Sequence, residues 1–380
     1  MNKKNYRLIE IFENYDYLRK PLSELERTNF QGDYPYYGAQ GIIDYVQGYR
    51  CDGEYLLIAE DGENLKSRKQ PIALIANGKF WVNNHAHIVK TNNLADIKFM
   101  CYFLNHSDIN GYITGSAQPK LNQGNLNRIK TIIPDIDYQK KIVNVLYPYD
   151  ELIELNNNRI QLFERIIEEI YKEWFIRLRF PGYMKYKFLE KVPCGWISGD
   201  KANMKLPVNW HFGKLNELGQ FVRGENITSI EMKEGEIPVV SAGIEPSGYH
   251  NKSNVNGKSL TISASGANAG YLQYNLDDIW AADCSYYQND DNIWFVYSSL
   301  KFIEPAIKNL QVGSAQPHVY AKNINKLNII IPEEKYIKMY NDIVNPMFEE
   351  IKKTNEKNKI LTKQRDLLLP RLMSGKLEIK

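Results

Sequence analysis

Gly115-Ser116-Ala117-Gln118-Pro119 and Gly313-Ser314-Ala315-Gln316-Pro317 are the same five residues met twice, 198 positions apart. Five residues can coincide by chance, so the flanks decide. Downstream at the same offset, Ile132-Ile133-Pro134 meets Ile330-Ile331-Pro332, Tyr138 meets Tyr336, and Pro148 meets Pro346. Upstream the echo is fainter but ordered. Tyr34-Pro35-Tyr36-Tyr37 lies opposite Ile237-Pro238-Val239-Val240, Asp44-Tyr45 opposite Gly248-Tyr249, Leu57-Ile58 opposite Thr261-Ile262, and Phe80-Trp81 opposite Ile279-Trp280. This period is far longer than a solenoid repeat. The chain is a tandem duplication of one domain-plus-helix unit.

Each unit opens with short β-branched and aromatic runs broken by Gly, Asn and Asp, such as Gly41 to Asp44, Glu54 to Ala59 and Phe80 to Val82. A helical stretch follows, near Ala95 to Leu104 in the first copy and Ile293 to Lys308 in the second. Then come the repeated loop, a short apolar strand ending at Pro134 or Pro332, and a long helix. Asp135 or Asp137 is the expected N-cap of the first long helix. Its seam, Ile142, Leu146, Tyr149, Ile153, Asn156, Ile160, Phe163, Ile167, Ile170 and Trp174, steps by three and four over roughly Tyr138 to Phe175. The second helix, roughly Tyr336 to Leu369, carries Tyr340, Val344, Met347 and Ile351, then a polar stretch, then Leu361 and Leu368. The expected fold is α/β (α+β): two similar globular domains and two long helices forming an antiparallel coiled coil, with a pseudo-two-fold internal duplication. The alternative is that these helices pack into ordinary globular cores. A helix of this length spans on the order of 55 Å, against about 34–36 Å for one turn of duplex DNA.

Composition narrows the class. The chain has 380 residues with 43% apolar and 24% charged residues, the profile of a globular protein of two or three domains. A formal net charge of +3 is a weak basic excess for a chain gripping a polyanion alone, so phosphate contacts would be shared with other subunits. Cys51, Cys101, Cys194 and Cys284 are scattered without a Cys-x-x-Cys pair and read as free thiols in a reducing compartment. No apolar signal core or membrane-length run is found. The expectation is a cytoplasmic protein.

Specific stretches carry a resemblance: Tyr34-Pro35-Tyr36-Tyr37-Gly38-Ala39 with Gly41-Ile42-Ile43-Asp44-Tyr45, Asp52-Gly53-Glu54-Tyr55-Leu56-Leu57-Ile58, and Trp174-Phe175 with Phe180-Pro181-Gly182. Val192-Pro193 to Trp196 and Leu369-Pro370-Arg371-Leu372-Met373-Ser374-Gly375 complete the set. Together with the duplication, they make the chain resemble, over essentially its whole length, the specificity subunit of type I restriction–modification systems. One departure stands: the first copy lacks an opening like Pro207-Val208-Asn209-Trp210 and starts directly at Tyr6-Arg7-Leu8. The resemblance implies a target-recognition domain over 1–134, a central helical spacer over 135–180, a second recognition domain over 181–332 and a C-terminal helical spacer over 333–380. It implies a subunit without chemistry of its own that reads a bipartite, asymmetric site in double-stranded DNA. Partners implied are two modification subunits, which use S-adenosylmethionine to methylate adenine, and restriction subunits that use ATP and Mg. No cofactor belongs to this chain.

The search for chemistry agrees. Asn345-Pro346-Met347-Phe348 lacks the second proline of an adenine methyltransferase loop, and Gly266-Ala267-Asn268-Ala269-Gly270 lacks the spacing of a dinucleotide fingerprint. His85 and His87 alternate on an expected strand, which leaves metal binding, packing and DNA contact open; no metal site is assigned.

Base edges carry sequence information, while phosphates fix position. The leading DNA-contact candidates are Ser116, Gln118 and Lys120 in the first loop, with Ser314, Gln316 and His318 in the second. A purely structural turn is the competing reading of both loops. Tyr36, Tyr37, Gln40, Asn83, Asn84 and His85 are further candidates, with Ser241, Ser265, Asn268, Asp283 and Ser285 as their rough counterparts. Lys66, Arg68 and Lys69 form either a phosphate-contacting loop or a solvated charge run. The other functional classes are an autonomous methyltransferase or nuclease with diverged motifs, and a tandem scaffold that binds protein or glycan.

Overall fold

The computed structural model describes residues 3–193, 203–313 and 316–379. The chain divides into two compact units, Met1–Leu155 with Asn358–Lys380, and Asn156–Lys357. Each long helix contributes one part of its length to each unit.

In the first unit, Lys3–Arg7 pairs antiparallel with Lys130–Pro134. One four-stranded sheet runs Phe12–Asn14, Ala86–Thr91, Tyr55–Ala59, Ala73–Ala76. A second runs Gly41–Val46, Gln31–Gly38, Lys79–Val82, Cys51–Asp52, with Gln31–Gly38 and Lys79–Val82 parallel. Tyr55–Ala59 is buried at every position, because sheet neighbours and side chains cover both faces. The helix Ile97–His106 is N-capped by Asp96, whose carboxylate accepts from the Lys98 and Phe99 amides. It packs Phe99, Met100 and Leu104 into the core with Leu56, Ile58 and Val89.

The second unit repeats this plan. His211–Lys214 pairs with Asn328–Ile331. A sheet runs Val222–Arg223, Cys284–Tyr287, Ser259–Ser263, Leu272–Asn275. A smaller one runs Gly248–His250, Ile237–Val240, Trp280–Ala281, again with one parallel pair. Tyr36 pairs with Trp81 in the first parallel ladder and Val239 with Trp280 in the second. Both indole N–H groups donate to a backbone carbonyl, Trp81 to Lys20 at 2.7 Å and Trp280 to Glu225 at 2.8 Å. The opening of the first copy finds its place as well: Leu8 donates to the Ile129 carbonyl as Leu215 donates to that of Leu327. Lys3–Arg7 therefore stands where His211–Lys214 stands. The added hairpin Phe188–Pro193 with Asn203–Pro207 belongs to the second unit.

The long helices run Ile136–Tyr171, continued by a π-helical turn Lys172–Ile176, and Glu334–Ser374. Asp135 is the cap, its carboxylate accepting from the Tyr138 amide at 3.0 Å. Within the first unit, Ile142, Val143 and Leu146 share a core with Leu372 of the second helix. There Arg365 pairs with Asp150 at 2.6 Å, and Asp150 also accepts from the Tyr102 hydroxyl. Within the second unit, the Tyr340 hydroxyl reaches the Ile167 carbonyl at 3.3 Å, and Ile160, Phe163 and Ile170 pack on the core that holds Val344, Phe348 and Ile351. The two helices thus lie side by side in each unit with opposite chain direction. Ile153, Asn156, Met347, Leu361 and Leu368 are half-buried. One feature departs from a plain two-helix seam. The buried positions Ile142, Leu146, Tyr340 and Val344 face the globular cores as much as the partner helix, and Phe348, outside the expected stripe, is fully buried against Trp294.

No helix among the described residues is long and apolar enough to cross a membrane. Cys51, Cys101 and Cys284 are free thiols, and burial pushes the Cys51 thiol up to about 11; Cys194 lies outside the described residues.

Candidate nucleic-acid interface

The described residues of the repeated loop make matching backbone hydrogen bonds in both units. Thr114 and Lys120 exchange backbone hydrogen bonds at 2.8 and 2.7 Å, as Val312 and His318 do at 2.9 and 2.9 Å. The Pro119 carbonyl accepts from the Gly62 amide at 3.1 Å, and that of Pro317 from Gly266 at 3.0 Å. The Leu121 amide donates to Glu60 and the Val319 amide to Ala264. Each loop is therefore strapped across the end of the central strand, Tyr55–Ala59 or Ser259–Ser263. This backbone network is common to both units. It leaves Ser116, Gln118, Lys120 and Gln316 exposed and His318 half-buried beside Tyr320. Ser314 lies outside the described residues.

Beneath the first loop sits a polar network. The buried His87 ring lies 2.7 Å from Asp16 through Nδ1 and 2.8 Å from the Leu121 carbonyl through Nε2. Burial alone would raise the Asp16 carboxyl, yet the hydrogen bond and charge of His87, with the Ile88 amide and Arg19, carry it below the usual carboxylate range. Glu60 is likewise opposed by burial and held low by Arg19, His87 and Lys120, whose Nζ lies 3.2 Å away. His85 Nδ1 stands 2.8 Å from Asp61. The expected alternation of His85 and His87 on one strand face is corrected here. His85 lies in the turn before Ala86–Thr91 and is exposed, whereas His87 is inside with both ring nitrogens engaged. No group of three or more His, Cys, Asp or Glu among the described residues is arranged to hold a metal ion.

The second unit carries different chemistry at the same positions. Ile58 pairs with His87 and Ile262 with Ser285, so Ser285 stands where His87 stands. Counting along the same strands puts Asp283 at the place of His85 and Ser265 at that of Asp61. Continuing the edge ladders, Asn14 with Val89 and Arg223 with Ser285, puts Arg223 at the place of Asp16. Asp283 binds the Arg223 guanidinium and accepts from the Ser265 hydroxyl.

Several candidate residues prove to be interior. Tyr36 is 1% exposed; its hydroxyl accepts from the Leu22 amide, and its ring packs with Val46 and Trp81. Asn83 is buried and accepts from the His85 amide, shaping the turn from below. Ser285 is fully buried, and Ser265 is buried beside Asp283. None of these four side chains is free to reach a base edge. Arg68 is also structural: its guanidinium donates to the Leu104 and Ser107 carbonyls at 3.1 and 2.9 Å, satisfying the end of the helix Ile97–His106. Tyr37 is half-buried edge-on to Phe80. Gln40, Lys66, Lys69 and Asn84 are exposed, with Lys66 Nζ 3.3 Å from the Gly115 carbonyl. Ser241 and Asn268 are half-buried, and Asp283 is in part accessible. Sequence reading missed Asp16, Arg19, Glu60, Asp61 and Arg223. Aligning the copies strand by strand from the repeated loop would have exposed the Asp61–Ser265 and Asp16–Arg223 matches.

The model for the "Type I restriction modification DNA specificity domain" matches the chain twice, over residues 2–165 and 207–362. The MjaIX specificity subunit of Methanocaldococcus jannaschii is 23% identical over 392 residues, 92% of this chain and 88% of that one. The HindI specificity subunit of Haemophilus influenzae is 21% identical over 420 residues, 89% of this chain and 87% of that one. The crystal structure of a type I system S subunit from M. genitalium shares the fold, with a TM-score of 0.56 at 16% identity, covering 100% of this chain and 97% of that one. With its two copies of the domain and its duplicated fold, the chain belongs to the type I restriction–modification specificity subunits.

Proposed function

We propose that each unit reads one half of a bipartite, asymmetric site in double-stranded DNA, while the paired helices set the spacer and dock methyltransferase subunits that methylate adenine. The chain performs no chemistry itself. S-adenosylmethionine belongs to the modification subunits, ATP and Mg to the restriction subunits, and the assembly works on DNA in the cytoplasm. One observation carries this reading: the two units keep matching backbone hydrogen bonds at the loop yet differ in side-chain chemistry beneath it, His85 with Asp61 against Asp283 with Arg223. Two frames with different polar groups suit two different base sequences. The exposed loop residues Ser116, Gln118, Lys120 and Gln316, with His318, His85, Asn84 and Gln40, are the proposed contacts in this reading, with Lys66 and Lys69 on phosphates and Tyr37, Ser241 and Asn268 at the margins. The test is to map methylated adenines in host DNA before and after deleting the gene. Loss of one bipartite motif supports the proposal, and an unchanged methylation map rejects it.

A further inference from the structure

The geometry points to Arg223 as the residue by which the second unit reads a guanine, with Asp283 as its positioning residue; this rests on the proposed reading of DNA by that unit. Arg223 lies at the edge of its sheet, and its backbone is fixed on both sides. It pairs with Ser285 in register, while the following Gly224 and Glu225 amides donate to Cys284 and Ala281, each at 2.9 Å. Gly224 allows this close approach, since a Cβ there would stand 2.5 Å from the Ala281 carbonyl oxygen. The Arg223 side chain remains about half exposed, at 48%.

Asp283 holds one part of that guanidinium, and Ser265 holds Asp283 from the other side. Ser265 in turn bridges to His318, the residue that follows the repeated loop. A free arginine side chain carries about 2 kcal/mol of rotamer entropy, and this buttress removes much of that freedom before any ligand arrives. Guanidinium presents five donors in a rigid fork. With one nitrogen on Asp283, the others can meet the O6 and N7 acceptors of guanine, which no other base offers side by side in the major groove. The paired carboxylate also offsets the positive charge, which makes Arg223 a poor phosphate clamp and a better reader of base edges.

The fold itself does not require this arrangement. At the matching place the first unit has Asp16, turned inward to His87, and the same sheet forms. An arginine side chain left half exposed where its counterpart is a carboxylate only 10% exposed is a local choice.

The test uses the full chain assembled with its modification subunits and selects from a duplex library randomised across both half-sites. The wild-type assembly is expected to prefer G·C at one position of one half-site by about 5- to 150-fold. Arg223→Ala should bring that preference near one, leaving every other position unchanged. Arg223→Gln removes both the charge and the fork and offers the amide that suits adenine, so it should abolish the G·C preference and serves if the alanine variant does not assemble. Unchanged base preferences in the glutamine variant, or a uniform loss of affinity with preferences intact, overturn the inference while leaving the proposed function standing. Failure of the wild-type assembly to select any sequence overturns the proposed function itself.

Discussion

Gly115 and Gly313 hold the same left-handed backbone conformation, φ +85° and +97°, at the start of the two repeated loops. A Cβ on Gly115 would lie 2.2 Å from the Gln118 carbonyl oxygen, and on Gly313 2.9 Å from that of Gln316. Both glycines are required by geometry, the first more strictly. Gly115→Ala should cost about 2–3 kcal/mol, from the backbone conformation and the clash together, and Gly313→Ala about 1 kcal/mol. Urea unfolding followed by probes in each unit checks the order. Equal, negligible effects would mean the loops relax freely.

Arg68 and its lysine neighbours should separate by assay. Arg68→Ala removes two bonds from the end of the helix Ile97–His106 at a residue with φ +52°, and should destabilise the first unit by about 1–2 kcal/mol. The salt dependence of DNA binding by the assembly should stay as in wild type. Lys66→Ala or Lys69→Ala should instead leave stability within about 0.5 kcal/mol and lower the salt slope by about one. A reduced slope in Arg68→Ala would return that residue to the phosphate contacts.

Asp16 makes the first unit sensitive to acid. Its folded carboxyl is held below the usual range, against the opposing effect of burial, by His87, the Ile88 amide and Arg19. Stability from a depressed carboxyl is fully present above its unfolded pKa, about 3.9, and is lost as pH falls through the lower folded value. Protection factors for amide exchange along Ala86–Thr91, referred to the intrinsic rate at each pH, should fall below about pH 4. The Asp16→Asn protein should exchange faster at pH 7 and change less on acidification. Identical pH profiles for the two proteins would contradict this role.

Phe348 stacks on Trp294 with ring centroids 3.6 Å apart and is fully buried on the second long helix. Phe348→Ala should cost about 3–5 kcal/mol, well above Leu361→Ala at a half-buried seam position. Thermal unfolding followed by probes in each unit measures both, since Phe348 lies in the second unit and Leu361 in the first.

The duplication and the long helices were legible because they rest on a repeated loop whose backbone demands its glycine and on local periodicity, whereas the cap was narrowed only to Asp135 or Asp137. The four interior candidates, Tyr36, Asn83, Ser265 and Ser285, were not. Each is polar or amphipathic and lies in or beside a strand, and whether it faces solvent depends on sheets completed by residues far away in sequence. Phe348 was missed for a related reason: a heptad stripe describes one partner, and this helix also packs on a globular core. Arg223 and Asp16 escaped notice because a two-residue edge strand and the 3-10 turn just beyond a three-residue one carry almost no sequence signature.

The central claim, one reader per half-site, is tested most directly by replacing residues 181–332 with the equivalent segment of another family member and sequencing methylated adenines in the host genome. The account predicts a hybrid motif, with one half replaced and the other kept. A motif unchanged in both halves, or altered in both, would contradict it.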